Sequence, residues 1–265
     1  MSVHPLFELR ESLTDLCAQV SVFIRKEITK VEIGDVQEKD MNSLVSYVDQ
    51  EAERILVEGL QRMVPEAGFI TEEQTVHTEQ KDKMWIVDPL DGTTNYLQRI
   101  PHFSTSIALQ DKGEIVVGIV YETMRDNAFT AVRGFGAWEN NVPITVTKTS
   151  NNNQAIVVSG FPYDRKTDID KNMSLLKHCI LNYRGFRRLG SAALDLAYVA
   201  SGRIDIYFEE TLNIWDLAAG VLLVKEAGGQ VSDYDGGETF LESGSIVSSN
   251  GQLHEGILDA IEKSL

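Results

Sequence analysis

The sequence lacks long apolar runs. No stretch of about 18 consecutive apolar residues occurs in the 265-residue chain, which argues against a transmembrane helix. Residues 1–5 are followed by charged residues and lack the apolar core of a signal sequence. We therefore expect a cytoplasmic protein that has no membrane partner.

Cysteine is also scarce, since the chain contains only Cys17 and Cys179. The two residues are far apart, and each lies within an apolar pattern of helical spacing. This arrangement favours buried free thiols over a disulfide or a pair of metal ligands.

Basic residues are outnumbered, with 24 Lys and Arg against 40 Asp and Glu, and the formal net charge is −16. Such a chain lacks the positive charge that nonspecific electrostatic binding to nucleic acid requires. An anionic substrate is not excluded, because Mg²⁺ held by carboxylates reverses the local sign of the charge.

Hydrophobic residues make up 43% of the chain, enough for the core of one large domain or of two closely packed ones. The three asparagines at positions 151–153 form the best candidate boundary between two halves. We predict an N-terminal α+β part over residues 1–150 and a C-terminal α/β part over residues 151–265, packed as one catalytic unit.

Apolar periodicity predicts the secondary structure. In the first half it predicts a helix over residues 3–30, and over 44–63 either a helix throughout or a helix with an entry loop. It predicts strands over 68–71, 84–87, 104–109, 115–121 and 128–132. Residues 134–136 and 140–141 are typical of turns. In the second half it predicts strands over 155–159, 184–188, 204–208, 230–232 and 246–248, alternating with helices over 169–181, 191–200, 214–227 and 253–265. This alternation favours a sheet covered by helices.

One stretch, residues 84–96, concentrates groups suited to chemistry. A short apolar strand is followed by Asp88, Pro89, Asp91, Gly92 and Thr93, and Thr93 is a plausible first residue of a short helix. Carboxylate oxygens and the N–H groups at a helix start are what a divalent cation and a phosphate group need together. The alternative is an ordinary Asp-rich turn.

Acidic residues at three other places in the chain bear on that choice. The strand over residues 68–71 ends in Glu72 and Glu73, and adjacent strands that both end in acids would converge on one edge of a sheet. Asp216 stands in the first turn of a predicted helix, where the helix dipole favours a carboxylate for purely structural reasons. Asp49, near the start of the second helix, is by itself typical of a capping or solvent-facing residue.

Residues 85–96 and 215–229 resemble the two signature motifs of the inositol monophosphatase family, and residues 188–198 are similar to a segment found in its bacterial branch. The resemblance covers nearly the whole chain, in order and at the expected spacings. It implies a five-layered αβαβα sandwich, two to three Mg²⁺ ions per subunit, and hydrolysis of phosphomonoesters.

The resemblance also implies a set of metal ligands. Glu72, Asp88 and the carbonyl of Leu90 match the ligands of one ion, and Asp88, Asp91 and Asp216 match those of a second. Asp88 would then bridge the two ions, and Glu72 would be shared with a weaker third.

Further roles follow from the resemblance in the same way. Thr93 matches the residue that hydrogen-bonds the attacking water, Asp49 matches its acidic partner, and Lys39 matches a lysine on a flexible loop. Glu209 and Ala192 match positions that contact the ring hydroxyls of inositol. The implied substrate-binding residues are Asp91, Gly92, Thr93, Ala192, Glu209 and Asp216.

Some positions depart from the family pattern. Residues 43–46 read Ser-Leu-Val-Ser where the family often has Asp-Leu-Val-Thr, Thr71 stands in place of a usual Gly, and Tyr96 in place of a Phe. Every acid of the implied metal site is present, so the departures bear on substrate preference rather than on catalysis.

The motifs contain no cysteine or histidine that could act as a nucleophile. Neither cysteine nor any of the five histidines lies in these motifs; the histidines are His4, His77, His102, His178 and His254. This favours direct in-line attack by a water that Glu72 and Thr93 orient, without a phosphoenzyme.

The sequence allows three hypotheses about the function. The first is an Mg²⁺-dependent inositol-1-phosphatase with some breadth for other polyol and sugar phosphates. The second is a sibling activity, such as fructose-1,6-bisphosphatase, histidinol-phosphatase or nucleotide 3′-phosphatase. The third is a regulatory protein that binds transcription factors, for which the only local basic cluster is Arg184, Arg187 and Arg188, more typical of a solvated strand. A homodimer and inhibition by lithium are implied by the resemblance alone.

Overall fold

The computed structural model describes residues 4–31, 37–40, 43–45, 47–76, 78–161 and 169–264. For residues 37–40 and 43–45 it describes the backbone only. The side chain of Lys39 and the whole of His77 therefore lie outside the described residues. No helix in the described ranges is long and apolar enough to cross a membrane. Cys17 and Cys179 are both buried free thiols, as predicted.

Two long helices form the first layer. They are α1 (Pro5–Glu27) and α2 (Tyr47–Met63), and they pack against each other and against the first sheet. The predicted second helix was wrong at its start, because residues 43–45 belong to a strand, β2 (Ser43–Val45), that pairs with β1 (Gln37–Asp40). Helix α2 ends at Met63, two residues before Pro65, which cannot continue the hydrogen-bond ladder.

A seven-stranded sheet forms the second layer. Its strands, hydrogen-bonded in this order, are β3 (Gly68–Thr71), β4 (Lys83–Asp91), β5 (Ser104–Asp111), β6 (Glu114–Glu122), β7 (Asn127–Val132), β8 (Gly136–Glu139) and β9 (Val142–Pro143). Only β3 and β4 are parallel. The turns predicted at residues 134–136 and 140–141 flank β8, a short strand that the sequence did not indicate. A short helix, α3 (Thr93–Leu97), follows β4 and begins at the predicted residue.

The second half of the chain forms a five-stranded sheet and its helices. The strands are β10 (Ile156–Ser159), β11 (Gly185–Arg187), β12 (Ile206–Glu209), β13 (Gln230–Ser232) and β14 (Ile246–Ser249), in the order β11-β10-β12-β14-β13. The helices are α4 (Ile169–Asn182), α5 (Ala192–Ala200), α6 (Ile214–Glu226), α7 (Phe240–Ser243) and α8 (His254–Glu262). The sheet is mixed, because β14 runs antiparallel to both of its neighbours. A division of the chain at residues 151–153 stays a prediction.

Helices α5 and α6 lie between the two sheets, and α4 and α8 cover the outer face of the second. The predicted αβαβα layering is thereby confirmed. Small residues let α6 lie close to the first sheet. A Cβ added to Gly118 of β6 would lie 3.1 Å from the Cα of Ala219 in α6. Gly220 of α6 likewise lies close to Leu196 of α5, so small residues face both the sheet and the neighbouring helix.

Candidate active site

The parallel pair β3 and β4 brings two acids together. Thr71 is paired with Val87, and the N–H of Glu72 donates to the carbonyl of Val87 over 3.2 Å. Glu72 and Asp88 therefore leave the same edge of the sheet, and their carboxyl groups are within hydrogen-bonding reach of each other. The convergence of two strand ends, predicted from the sequence, is observed.

Strand β4 then bends through its two aspartates. Its pairing with β5 is irregular between Asp88 and Asp91, and the N–H of Leu90 donates to Asp88 Oδ1 over 2.9 Å. Gly92 follows with φ of 93°, a left-handed conformation that a side chain disfavours. A Cβ there would also lie 3.1 Å from the carbonyl oxygen of Gly190. The bend and the glycine turn both aspartates and the start of α3 toward one point.

The third aspartate comes from the far half of the chain. Asp216 lies in the first turn of α6, and its Oδ2 accepts a 2.6 Å hydrogen bond from the N–H of Asn213. It therefore does cap its helix, which is the structural role that the sequence allowed. Yet one carboxylate oxygen from each of Asp88, Asp91 and Asp216 lies within 4.8 Å of the others. Two separate sequence motifs thus meet in one cluster.

Asp91 is held by the opening of α5. Its Oδ2 accepts hydrogen bonds from the hydroxyl of Ser191 at 2.5 Å and from the N–H of Ala193 at 2.8 Å. Ser104 of β5 lies 3.3 Å from Ser191, hydroxyl to hydroxyl. These bonds fix the Oδ2 atom of Asp91 at the start of α5.

Asp49 is buried, with 1% of its surface exposed, so the expectation of a solvent-facing residue was wrong. The packing of α2 against β4 brings its Oδ1 within 3.2 Å of the hydroxyl of Thr93, which also lies 3.1 Å from the carbonyl oxygen of Leu90. The Thr93 hydroxyl thus has two acceptors for its single proton and retains lone pairs for another donor.

Burial raises the pKa values of the three aspartates in the cluster. Burial, followed by the charges of Glu72, Asp91 and Asp216, raises the pKa of Asp88 well above its ordinary value. Loss of hydration and the charges of Asp91 and Glu72 do the same to the pKa of Asp216. Burial also raises the pKa of Asp91, although the bonds from Ser191 and Ala193 oppose the shift. Gathered carboxylates without a cation disfavour their own ionised forms.

A pocket of about 190 Å³ opens over the cluster, and all the predicted site residues described with side chains line it, apart from Asp49. Beyond the aspartates its wall contains Ala192 and Glu209. Burial raises the pKa of Glu209 to about 7, against the hydrogen bond from Tyr207 and the charge of Arg188. The hydroxyl of Tyr207 donates to Glu209 Oε2 over 2.7 Å.

Four contributors were missed at the sequence level. Ser191 holds Asp91, and Arg188 is the only basic residue among the described residues that line the pocket. Gly160 lies so close to Glu209 that a Cβ there would overlap the carboxyl group. Asn95 donates through Nδ2 to the carbonyls of His102 and Leu189, both at 2.8 Å, and so ties α3 to the segment before α5. Asn95 lies within residues 85–96 and Arg188 and Ser191 within residues 188–198, so the sequence pointed to their segments but not to their roles, whereas Gly160 lies outside these stretches.

Comparisons with known proteins agree with this architecture. The sequence pattern of the inositol monophosphatase family matches residues 6–265. The chain is 40% identical over 257 residues to a protein of Salmonella typhimurium named Nus factor SuhB, covering 97% of this chain and 95% of that one. It is 39% identical over 262 residues to a Mesorhizobium japonicum protein named inositol-1-monophosphatase, covering 97% and 98% of the two chains.

Among solved structures, the extragenic suppressor protein SuhB from Bartonella henselae superposes with a TM-score of 0.91 at 34% identity, over 97% of this chain and 100% of that one. Sequence pattern, relatives and fold therefore agree with the resemblance drawn from the motifs. The chain belongs to the inositol monophosphatase family, a family of phosphatases.

Proposed function

We propose that the protein is an Mg²⁺-dependent phosphomonoesterase that hydrolyses myo-inositol 1-phosphate, and related polyol and sugar phosphates, to the alcohol and phosphate. One observation carries the proposal: oxygens of Asp88, Asp91 and Asp216 lie within 4.8 Å of one another at the floor of a pocket. The family membership and the relative named inositol-1-monophosphatase point the same way.

The residues fit divalent cations. Mg²⁺ prefers hard oxygen ligands, and the cluster offers carboxylates together with the carbonyl of Leu90 at the pocket wall. The raised pKa values of Asp88 and Asp216 reflect burial and then mutual repulsion, and bound cations would relieve the repulsion. We assign one ion to Glu72, Asp88 and Leu90 and a second to Asp88, Asp91 and Asp216, with a third, weaker ion sharing Glu72.

Bound ions would supply Lewis acidity and charge neutralisation to the phosphate ester. The protein's own groups do the rest. Thr93 donates a hydrogen bond to Asp49, so its oxygen can accept a hydrogen bond from water and orient that water together with Glu72. The N–H groups of Gly92 and Thr93, where α3 begins, bind phosphate oxygens. No covalent phosphoenzyme is required.

The alcohol part of the substrate lies against Glu209 and Ala192 in this proposal. Tyr207 donates to Oε2 of Glu209, and the backbone of Gly160 also hydrogen-bonds this carboxyl group. A carboxylate has further lone pairs, which can accept a hydroxyl group of the substrate. A vicinal polyol such as inositol meets that requirement. Fructose-1,6-bisphosphate, histidinol phosphate and nucleoside 3′-phosphates use the same metal chemistry and are the alternative substrates.

The test is phosphate release from a panel of these phosphomonoesters, with Mg²⁺ and with chelator. We expect turnover that depends on Mg²⁺ and is fastest with inositol 1-phosphate. Turnover in chelator, or a covalent phosphoenzyme trapped during turnover, contradicts the mechanism. A clear preference for another member of the panel contradicts only the substrate.

A protein-binding role is the second candidate, favoured by the relatives named Nus factor SuhB. Arg184, Arg187 and Arg188 are exposed and offer a basic surface to a partner such as a transcription factor. A pull-down with wild type and with Asp91→Asn tests whether binding exists apart from hydrolysis. We further propose a cytoplasmic homodimer; sedimentation of the purified protein as a monomer would exclude the dimer.

A further inference from the structure

Helix α2 carries a second buried carboxylate, one turn beyond Asp49. Glu53 is 0% exposed, and residues four apart lie on the same face of a helix. Asp49 reaches Thr93, as described above. Glu53 instead reaches the loop that follows β3, so one helix face contacts two separate parts of the site.

Three hydrogen bonds join Glu53 to that loop. Its Oε2 accepts from the N–H of Glu73 over 2.7 Å, and its Oε1 accepts from both the N–H and the hydroxyl of Thr75, each over 2.7 Å. Bonds to an ionised acceptor are short and strong, and a buried N–H that loses its acceptor is destabilising. A loop conformation that breaks these three hydrogen bonds is therefore unfavourable in free energy.

The backbone on each side of Glu72 is held by a hydrogen bond. On one side its N–H closes the ladder between β3 and β4 through Val87. On the other side the ladder has ended, and the next residue, Glu73, is held by Glu53. Without the hydrogen bond from Glu73 to Glu53, the loop can change conformation and move Glu72 away from the cluster.

We propose that Glu53 is a positioning residue for Glu72, and that it sets the affinity of the site for divalent cations without touching them. The inference rests on the proposed metal-dependent function. It assigns to a buried helix carboxylate the role of an outer support of a metal ligand, whose removal typically costs about 10- to 100-fold in metal affinity.

The experiment measures Mn²⁺ binding to the metal-free protein by the electron paramagnetic resonance of free Mn²⁺, together with the melting temperature. Glu53→Gln keeps the shape of the side chain but removes its charge and one acceptor oxygen. Thr75→Val removes one of the three bonds and leaves Glu53 intact. We expect Mn²⁺ binding to weaken about 10- to 100-fold in Glu53→Gln and by a smaller factor in Thr75→Val.

Asp233 supplies a matched control. It is 6% exposed and accepts hydrogen bonds from Gly237 and Thr239 in a turn that does not line the pocket. Asp233→Asn should lower the melting temperature while Mn²⁺ binding stays within about twofold of wild type, as distant independent sites behave. Equal weakening in this control would mean general destabilisation and would overturn the inference.

Activity provides a second readout. With Glu53→Gln, the Mg²⁺ concentration needed for half-maximal activity should rise, while the rate at saturating Mg²⁺ stays close to wild type. If wild type binds Mn²⁺ but Glu53→Gln and Thr75→Val bind it equally well, the inference alone fails. If Glu53→Gln does not fold, Thr75→Val decides in the same way. If wild type itself binds no Mn²⁺, the proposed function fails and the inference falls with it.

Discussion

The hydroxyl of Ser191 donates a 2.5 Å hydrogen bond to Oδ2 of Asp91, a residue 100 positions earlier in the sequence. This bond lowers the pKa of a carboxyl group whose burial raises it. The start of α5 thus keeps Asp91 available for a cation, and the two halves of the chain depend on each other at this contact.

Ser191→Ala tests that dependence. The variant loses one of two short bonds to Asp91, so both the orientation and the acidity of the carboxyl group suffer. We expect the affinity for Mg²⁺ to fall by about 10- to 100-fold, measured by titrating activity with Mg²⁺. Ser191→Thr retains the hydroxyl and serves as the control. Equal Mg²⁺ requirements in Ser191→Ala and wild type would count against the role of this bond.

Asp91→Asn removes a proposed metal ligand while preserving size. We expect activity to fall by at least about 100-fold at saturating Mg²⁺, more than the loss of a supporting residue costs. The fold should survive, because an amide oxygen can still accept from Ser191 and Ala193. Asp82→Asn, at an exposed position, controls for the change of charge. Substantial turnover by Asp91→Asn would contradict the metal assignment.

Thr93→Val tests the proposed orientation of water. Valine matches threonine in shape but has no hydroxyl to link Asp49 with the attacking water. Positioned proton transfer contributes about 10²- to 10⁴-fold, so we expect kcat to fall within that range with little change in KM. Thr93→Ser should recover most of the rate. A loss confined to KM would instead indicate a role in binding.

Metal should stabilise the protein more as pH rises. The pKa values of Asp88, Asp91 and Asp216 are raised in the folded state, so the folded protein binds more protons than the unfolded chain. Their contribution to stability is complete below the unfolded pKa, near 3.8, and is lost as pH rises through the folded values. Bound cations offset the loss. The increase in melting temperature caused by Mg²⁺ should therefore be larger at pH 8 than at pH 5.5, as thermal scans at about these pH values can establish. An increase that shrinks with pH would contradict the account.

His254 gives a pH dependence unrelated to the site. Its ring is fully buried between the hydroxyls of Ser232 and Ser249, each 2.9 Å away, and burial lowers its pKa from 6.5 to about 4. The unfolded chain then binds the extra proton, so stability is lost as pH falls from 6.5 to 4, by roughly 3 kcal/mol.

The variant His254→Gln lacks this titration. Chemical denaturation at several pH values should show wild type losing its advantage over the variant between those two pH values. A constant difference would show that the imidazole is not the titrating group.

Local patterns were enough for much of the fold. The spacing of apolar residues predicted α1, which buries one face, and the central strands β5 to β7, which are buried over most of their length. It failed at Ser43–Val45, where residues that fit helical spacing pair instead with β1. It also missed β8, whose four residues are bounded by turns and only partly buried. Pairing of short strands depends on partners that periodicity does not encode.

The sequence likewise predicted some residues of the candidate site and missed others. Asp88, Asp91 and Asp216 lie in continuous motifs, so the sequence pointed to them together. Asp49 was taken by its own sequence context for a surface or capping residue, because its burial arises only when α2 packs on the sheet. Ser191 and Glu53 act through hydrogen bonds to distant segments. Such supports have no signature of their own.

The central claim is that acids from two distant motifs hold divalent cations in one cluster. The most direct test is a crystal of the protein soaked in Mn²⁺ and measured at a wavelength where manganese scatters anomalously. The account predicts anomalous peaks among Asp88, Asp91 and Asp216, with one close to Glu72. A well-diffracting crystal without peaks there, or with Asp216 turned away from Asp88, would contradict it.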